Sequence, residues 1–298
     1  MDILPSFDHA QLGLKIALLS DRFDVLVDAH FDGKSELTIW RRVRIRKGIG
    51  PKAKLCANGT FVAFPLPDRP LPNKIRFRDL NIWYIDHSVI AFLRSNKQIW
   101  ERSGTDMELN VDSDEAENDV QPIWDVFIRQ IWPIFATNLR YLRFSGHIHL
   151  DNLRRRTSPT ILTDLDQLDS IDSGGLFPDV IADDGPNATS GQALSKWLHT
   201  PSKDGQPKQL HYNGYFGLLT LKWINNFKEA FLRATTSSSY IIQLNFYMTK
   251  RPNEPFEFVN EGTNEKLILW KKSELAVETM SNYGDSSTEE RRKLGRQF

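Results

Sequence analysis

Strand-like and helix-like segments alternate along most of this chain of 298 residues. Between residues 75 and 247, short runs rich in leucine, β-branched and aromatic residues recur roughly every 27 to 40 residues, with amphipathic helix patterns between them. A helix that connects two neighbouring strands favours a parallel sheet with right-handed crossovers. The alternation therefore predicts an α/β fold.

The same periodicity predicts where the elements lie. Strands are predicted at residues 75–84, 107–111, 139–144, 165–171, 207–212 and 240–247. Helices are predicted at residues 88–101, 123–136, 150–162, 190–199 and 224–234. Residues 138–144 and 164–171 look like degenerate leucine-rich-repeat strands, so we expect an irregular leucine-rich-repeat-like βα array.

The N-terminal part of the chain, residues 1–33, is predicted to be helical. Apolar residues recur at spacings of three and four between residues 12 and 31, as they do on one face of a helix. These residues are Leu12, Ile16, Leu19, Phe23, Leu26 and Val27. The pair Ser20-Asp21 either starts a second helix or lies on the exposed face of a single one.

Residues 34–72 are predicted to form basic strands and an extended connector. Asn58-Gly59 is a hairpin turn signal between two strand-like runs. Four prolines between residues 65 and 72 require an extended segment, because proline cannot donate to a sheet.

The C-terminal part of the chain is predicted to end in a hairpin and a tail. Residues 256–259 and 266–270 read as two strands that flank a polar loop. We expect a recognition domain over residues 73–272 and a disordered tail over residues 273–298.

The net charge of the chain is zero, because 38 basic side chains balance 38 acidic ones. Nucleic acid is therefore not expected as a partner held by bulk positive charge. The charge is unevenly distributed: residues 34–54 carry a local +7, and residues 106–125 carry a local −8. These two blocks are either solvated surfaces or a polarised surface that recognises a charged partner.

The sequence gives no indication of a cofactor. Cys56 is the single cysteine, so an internal disulfide and a cysteine-rich zinc site are excluded, and a cytoplasmic or nuclear location is expected. No phosphate-binding loop or nucleophile elbow occurs. His147 and His149 would lie on one face of a strand, which suggests a metal-dependent hydrolase as the less favoured alternative.

The N-terminal helical segment resembles the second half of an F-box. The matching pattern is Leu18-Leu19-Ser20-Asp21-Arg22-Phe23, followed by apolar positions up to Val27. Most of the chain between residues 7 and 270 is similar to a nematode-type group of F-box-like proteins. The matching segments are residues 20–31, 84–90, 131–133, 176–178, 182–184 and 190–208. Only residues 3–7 correspond to the start of the F-box, so a shortened F-box is expected.

This resemblance implies a non-enzymatic, protein-binding adaptor of an SCF-type ubiquitin ligase. The F-box region would dock a Skp1-like adaptor protein, and the repeats would bind an unknown protein substrate. The expected docking residues are Leu12, Ile16, Leu19, Phe23 and Leu26. A binding protein that acts without Skp1 is the alternative outside the ligase.

Overall fold

The computed structural model describes residues 12, 16–32, 40–47, 53–57, 63–67, 69–71, 77–101, 104–109, 120–144, 147–214, 218–235, 239–246, 256–269 and 274–279. None of the helices within these ranges is long and apolar enough to cross a membrane.

The described strands form one mixed sheet. In chain order they are β1 (Trp40–Lys47), β2 (Ala53–Ala57), β3 (Ala63–Pro65), β4 (Phe77–Ile82), β5 (Thr105–Leu109), β6 (Leu139–Arg143), β7 (Ser170–Asp172), β8 (Lys208–Gly214), β9 (Tyr240–Phe246), β10 (Phe256–Asn260), β11 (Glu265–Leu269) and β12 (Glu274–Thr279). In space they are ordered β10-β11-β12-β9-β8-β7-β6-β5-β4-β1-β2-β3.

Seven neighbouring strands of this sheet are parallel, namely β1 and β4 to β9. From β4 to β9, each strand lies beside the next one in the sequence, so the sheet is wound in a single direction. This result confirms the predicted α/β class. Antiparallel strands extend both edges, with β2 and β3 beside β1 and with β12, β11 and β10 beside β9.

The helices are α1 (Asp21–Asp32), α2 (His87–Ser95), α3 (Lys97–Glu101), α4 (Val120–Val126), α5 (Trp132–Phe135), α6 (His147–Arg156), α7 (Ile161–Asp164), α8 (Ser190–His199) and α9 (Leu218–Arg233). Helices from neighbouring strand-to-strand connections contact each other: α3 contacts α5, α4 contacts α6, and α6 contacts α8. Helices and buried strand residues share one large apolar cluster, in which Trp100 packs between Phe77 and Phe135. The helices of the parallel region therefore cover one face of the sheet.

A π-helical turn at Phe127–Ile131 joins α4 to α5. The Trp132 backbone N–H donates to the Phe127 carbonyl, five residues earlier. Pro133 has no N–H to donate to the preceding turn, which favours a wider turn at this point. The predicted helix at residues 123–136 is therefore present but internally irregular.

The two ends of the sheet differ in how well the sequence predicted them. The hairpin is confirmed, because β10 and β11 pair antiparallel around the turn that follows Asn260. The start of the predicted disordered tail is corrected, because Glu274–Thr279 forms β12 and pairs with both β11 and β9. The run Leu275-Ala276-Val277 is a short apolar segment between Glu274 and Glu278, which is the strand signal that the polar composition around it obscured. Residues 280–298 lie outside the described ranges.

The basic strands belong to the same sheet as the strands of the predicted recognition domain. β1 pairs with β2 on one side and in parallel with β4 on the other. β2 and β3 pair antiparallel, as the hairpin signal predicted, and the turn residues 58–62 lie outside the described ranges. The sheet is therefore continuous across the boundary expected at residue 72.

Candidate functional site: the polar face of the sheet

The parallel strands alternate between buried apolar residues and half-buried polar residues. β5 and β8 alternate buried and half-buried positions along their whole length, and the buried positions other than Thr105, Lys208 and Gly214 are apolar. The apolar residues contact the helices, so the polar residues lie on the opposite side of the sheet, which we call the polar face. Residues aligned in register across the polar face are Arg44, Asn81, Glu108, Arg143, Asp172, His211 and Gln243.

Asp172 is the centre of a hydrogen-bond network on β6, β7 and β8. Its Oδ2 atom lies 3.2 Å from Arg143 Nε and accepts hydrogen bonds from Asn213 Nδ2 at 2.7 Å and the Tyr141 hydroxyl at 3.4 Å. Its Oδ1 atom accepts from the Gly174 N–H at 3.1 Å. Four donors therefore hold this buried carboxylate in place.

Tyr141 is fixed from two sides within this network. Burial, and then the nearby Asp172 carboxylate, raise the pKa of the Tyr141 phenol far above its usual range. The ring of His211 lies edge-on to the ring of Tyr141, with 6.1 Å between the centroids. Tyr141 is therefore a neutral hydrogen-bond donor, and the described geometry gives it no role as a base.

A depression of about 190 Å³ lies over β4, β5 and β6 on the polar face. The polar side chains that line it are Asp79, Asn81, Asp106, Glu108, Tyr141 and Arg143. Asp79 and Asp106 are direct partners in the register of β4 and β5. Arg143 Nη1 lies 3.6 Å from Glu108 Oε1. Among the described side chains that line the depression, three are acids and one is a base.

The basic strand β1 lies beside the depression. The guanidinium groups of Arg44 and Arg46 lie over the ring of Trp83, at 5.3 Å and 4.6 Å from its centroid. Trp83 directly follows β4, and its N–H donates to the Ile45 carbonyl. Part of each predicted charge block therefore meets on one face of the sheet: Arg44 and Arg46 from the basic block, and Asp106 and Glu108 from the acidic block.

Sequence reasoning missed most residues of this site. Asp79, Asn81, Trp83 and Tyr141 were not singled out, because their proximity depends on the register between strands. Within β4, the alternation over residues 79–82 was a local signal that Asp79 and Asn81 share a face. Asp172 follows a predicted strand, but nothing in the sequence indicates its four donors.

The expected docking residues near the N-terminus are divided between two environments. Leu12 is buried in a small cluster with Ala17 and Val27, and Ile16 packs against that cluster. Leu19 and Phe23 are exposed, by 66% and 40% respectively, and Leu26 is half-buried. The apolar stripe is therefore only partly available to a partner.

Ser20 divides the predicted N-terminal helix. Its backbone is extended, with φ −166° and ψ 164°, and its hydroxyl accepts from the Phe23 N–H at 3.4 Å. Ser20 therefore caps α1. A short 3₁₀ helix, Ala17–Leu19, ends at Ser20, so of the two predicted alternatives, Ser20-Asp21 starts a second helix. Asp21 also forms an ion pair of 2.8 Å with Arg69, which links α1 to the proline-rich connector.

The expected placement of His147 and His149 on a strand is wrong. Both lie in the first turn of α6, and His149 is buried against the ring of Trp124, with 5.6 Å between the centroids. This contact packs His149 of α6 against α4. In the described ranges, no group of three or more His, Cys, Asp and Glu side chains could hold a metal ion.

A larger cleft of about 550 Å³ lies on the helical side of the sheet, beside α8 and α9. Phe227, Phe231 and Tyr240 provide its aromatic wall. Burial lowers the pKa of His199, whose Nδ1 atom lies 2.7 Å from the Ser195 carbonyl oxygen. Because a carbonyl oxygen can only accept, Nδ1 carries a proton in this contact, which ties the ring to the last turn of α8.

Comparisons with family models, curated proteins and solved structures found no match to this chain.

Proposed function

We propose that this chain is a non-enzymatic protein-binding adaptor, the substrate-recognition subunit of an SCF-type ubiquitin ligase. The observation that carries the proposal is the polar face, whose seven aligned positions are polar while the helices cover the opposite side. An extended sheet surface of this kind suits recognition of a protein segment. The sequential order of β4 to β9 supports the leucine-rich-repeat-like description.

Docking to Skp1 would use the exposed apolar side chains of the N-terminal helical region. Leu19 and Phe23 are large, apolar and solvent-exposed, so they are available to an apolar partner surface. The resemblance to an F-box includes both residues. Leu12 and Ile16 would instead position the region through their own apolar cluster.

Co-purification of the full chain with Skp1 tests this proposal. Phe23→Asp is expected to reduce Skp1 retention at least tenfold, because a charge would be buried at the interface. Val25→Asp is the matched control, since Val25 is also exposed but lies about 200° around α1 from Phe23. A well-folded wild-type protein that shows no binding at micromolar Skp1 would end the ligase proposal.

The second candidate is a binding protein that acts without Skp1. It is favoured by the cluster that buries Leu12 and half-buries Ile16, because these contacts within the chain compete with docking at two of the five expected residues. Under this alternative, the polar face would still bind its partner, and Phe23→Asp would change nothing measurable. The co-purification experiment therefore separates the two candidates.

A further inference from the structure

Arg44 and Arg46 project from β1 onto the polar face, at positions where no acid lies opposite them in the described register. On β4, the register partner of Arg44 is Asn81. On β2, the partners of Arg44 and Arg46 are Cys56 and Lys54. Within the described ranges, no ion pair joins either guanidinium to an acid. The two positive charges are therefore unpaired in this part of the chain.

Two acids of the same face, on β4 and β5, lie beside other bases. Asp79 is the register partner of Arg42, one step of the strand alternation away from Arg44. Glu108 Oε1 lies 3.6 Å from Arg143 Nη1, on the far side of β5 from β1. These two acids therefore do not balance the charges of the two unpaired arginines.

Buried hydrogen-bond donors without acceptors lie at the same position. Asn81 is 2% exposed, and its Nδ2 atom has no acceptor among the described residues. The Nε atom of Arg44 likewise lacks one, although Arg44 as a whole is half-buried. The two residues are neighbours across adjacent strands, which lie about 5 Å apart. A buried donor without an acceptor is destabilising, so a ligand that supplies an acceptor here recovers the lost interaction.

Trp83 holds the two guanidinium groups close together. They lie over its ring, with 5.3 Å for Arg44 and 4.6 Å for Arg46 to the centroid, and Trp83 is itself 41% exposed. A cation–π contact is made by the charge and the flat face of the guanidinium, so it leaves the N–H groups available for hydrogen bonds. The indole therefore keeps two forked donors near each other on the polar face.

The unused groups define the chemistry of the ligand. All of them are donors and two are cationic, so the ligand must supply acceptor atoms and a negative charge. A carboxylate fits, because a guanidinium fork matches its two oxygens, whereas a phosphate dianion would be repelled more strongly by the nearby Asp79 and Glu108. The adjoining depression of about 190 Å³ is smaller than the roughly 300–1,000 Å³ typical of small-molecule sites, which favours one side chain of a larger partner.

We propose that Arg44, Arg46 and Asn81 form a binding site for the carboxylate of an aspartate or glutamate side chain, in an extended acidic segment of the protein substrate. The carboxylate accepts from both guanidinium groups. The terminal torsion of asparagine is soft, so a small rotation of the Asn81 amide turns Nδ2 toward the same oxygens. This inference rests on the proposed function, since it names the substrate class of the polar face.

Fluorescence anisotropy with the full chain alone tests the charge requirement. The probe is a labelled (Gly-Ser-Glu)₄ peptide, compared with the same peptide in which glutamine, the neutral analogue of glutamate, replaces each glutamate. We expect the glutamate peptide to bind at least tenfold more tightly. Equal binding of the two peptides would overturn the inference. Tighter binding of the corresponding phosphoserine peptide, or of a single-stranded oligothymidylate of matched length, would also overturn it, because either result would indicate a phosphate site.

Variants test whether the two arginines are responsible. The double variant Arg44→Gln/Arg46→Gln is expected to weaken glutamate-peptide binding at least tenfold. Arg46 is exposed, so Arg46→Gln alone leaves the fold intact and should still weaken binding at least threefold. The control Lys203→Gln/Arg233→Gln makes the same change in net charge as the double variant at two exposed ion pairs, and a change of less than twofold is expected. An equal loss in both double variants would show non-specific attraction and refute the site.

Asn81→Leu provides a readout that separates recognition from folding. The leucine has a similar shape and carries no unpaired donor, so the urea midpoint of unfolding is expected to stay the same or rise while affinity for the glutamate peptide falls. A lowered urea midpoint would show that the amide already has a structural partner, which contradicts its role as a donor to the substrate.

The two proposals fail separately in these experiments. Peptide binding without Skp1 binding would leave the carboxylate site intact and remove only the ligase assignment. Skp1 binding without any preference for glutamate would retain the adaptor and remove the substrate class. Skp1 is absent from the peptide assay, so neither result depends on the other.

Discussion

Arg143 Nε and Asp172 Oδ2 lie 3.2 Å apart on the neighbouring parallel strands β6 and β7, where they are direct register partners. The two side chains differ in environment: the Asp172 side chain is 4% exposed, whereas that of Arg143 is 41% exposed. Asp172 also accepts from Tyr141, Asn213 and Gly174. The Asp172 carboxylate therefore links the polar side chains of β6, β7 and β8 on the polar face.

Asp172→Ala is expected to destabilise the protein by roughly 3 kcal/mol, because it leaves several donors without an acceptor. The free energy of unfolding measured in urea checks this prediction. Asp169→Ala is the matched control, since Asp169 accepts from Arg140 in a single, partly exposed ion pair. That control is expected to cost at most about 1 kcal/mol. Equal costs for the two variants would contradict the central role of Asp172.

Lys208 is a buried cation whose titration should be visible in the stability of the protein. Its Nζ atom donates to the Trp197 carbonyl at 2.8 Å, and burial lowers its pKa from 10.5 to about 8. Between these two values the unfolded chain binds more protons than the folded chain, so stability rises with pH. From pH 7 to pH 9.5 the gain is about 2 kcal/mol.

Lys208→Met is expected to abolish that gain, and urea unfolding across this pH range measures it. The upper limit of pH 9.5 avoids Tyr141 and Tyr240, whose raised pKa values make the folded state less stable at higher pH. Lys203→Met is the control, because Lys203 lies at the surface in an ion pair with Asp166. A pH profile of Lys208→Met parallel to that of the wild type would refute the prediction.

Arg154, on α6, binds the main chain of the loop that precedes α8. Its guanidinium donates to three main-chain carbonyls, those of Pro159, Gly185 and Ala188, at 3.1, 3.1 and 2.7 Å. Lysine cannot reproduce this forked geometry, so Arg154→Lys is expected to cost about 2–3 kcal/mol. Thermal unfolding of Arg154→Lys and of its exposed neighbour variant, Arg155→Lys, tests this. A similarly large loss for Arg155→Lys would contradict the assignment.

The elements that the sequence predicted best are those specified by local interactions. α8 begins and ends at the predicted residues, because Thr189 and Gln192 form a reciprocal capping box at its start. α2 is likewise capped by Asp86, whose Oδ1 atom accepts from the Val89 N–H.

The elements that the sequence predicted poorly depend on distant residues. The strand expected at residues 165–171 is reduced to Ser170–Asp172, because Leu168 N donates to the Leu165 carbonyl in a turn before it. The depression is also non-local, since it needs β4, β5 and β6 in register. The local count of charges predicted an acidic block at residues 106–125, but it could not predict which of these acids share a surface. Asp125, for example, pairs with Arg156 on α6 and not with residues of the polar face.

Gly191 is required by a close approach between α8 and the preceding loop. A Cβ atom at this position would lie 2.8 Å from Asp179 Cγ. Asp179 cannot move freely, because its N–H donates to the Gly191 carbonyl and its carboxylate accepts from the Thr189 hydroxyl. Gly191→Ala is therefore expected to destabilise the protein by about 1–2 kcal/mol in urea unfolding.

A double-mutant cycle with Asp179→Ala identifies the cause of that loss. Without the Asp179 carboxylate the clash disappears, and alanine is a better helix former than glycine by about 1 kcal/mol. In the Asp179→Ala background, Gly191→Ala should therefore be neutral or stabilising, so the sign of its effect changes. If the substitution costs as much in this background as in the wild type, the helix packing around Gly191, rather than contact with Asp179, would be responsible.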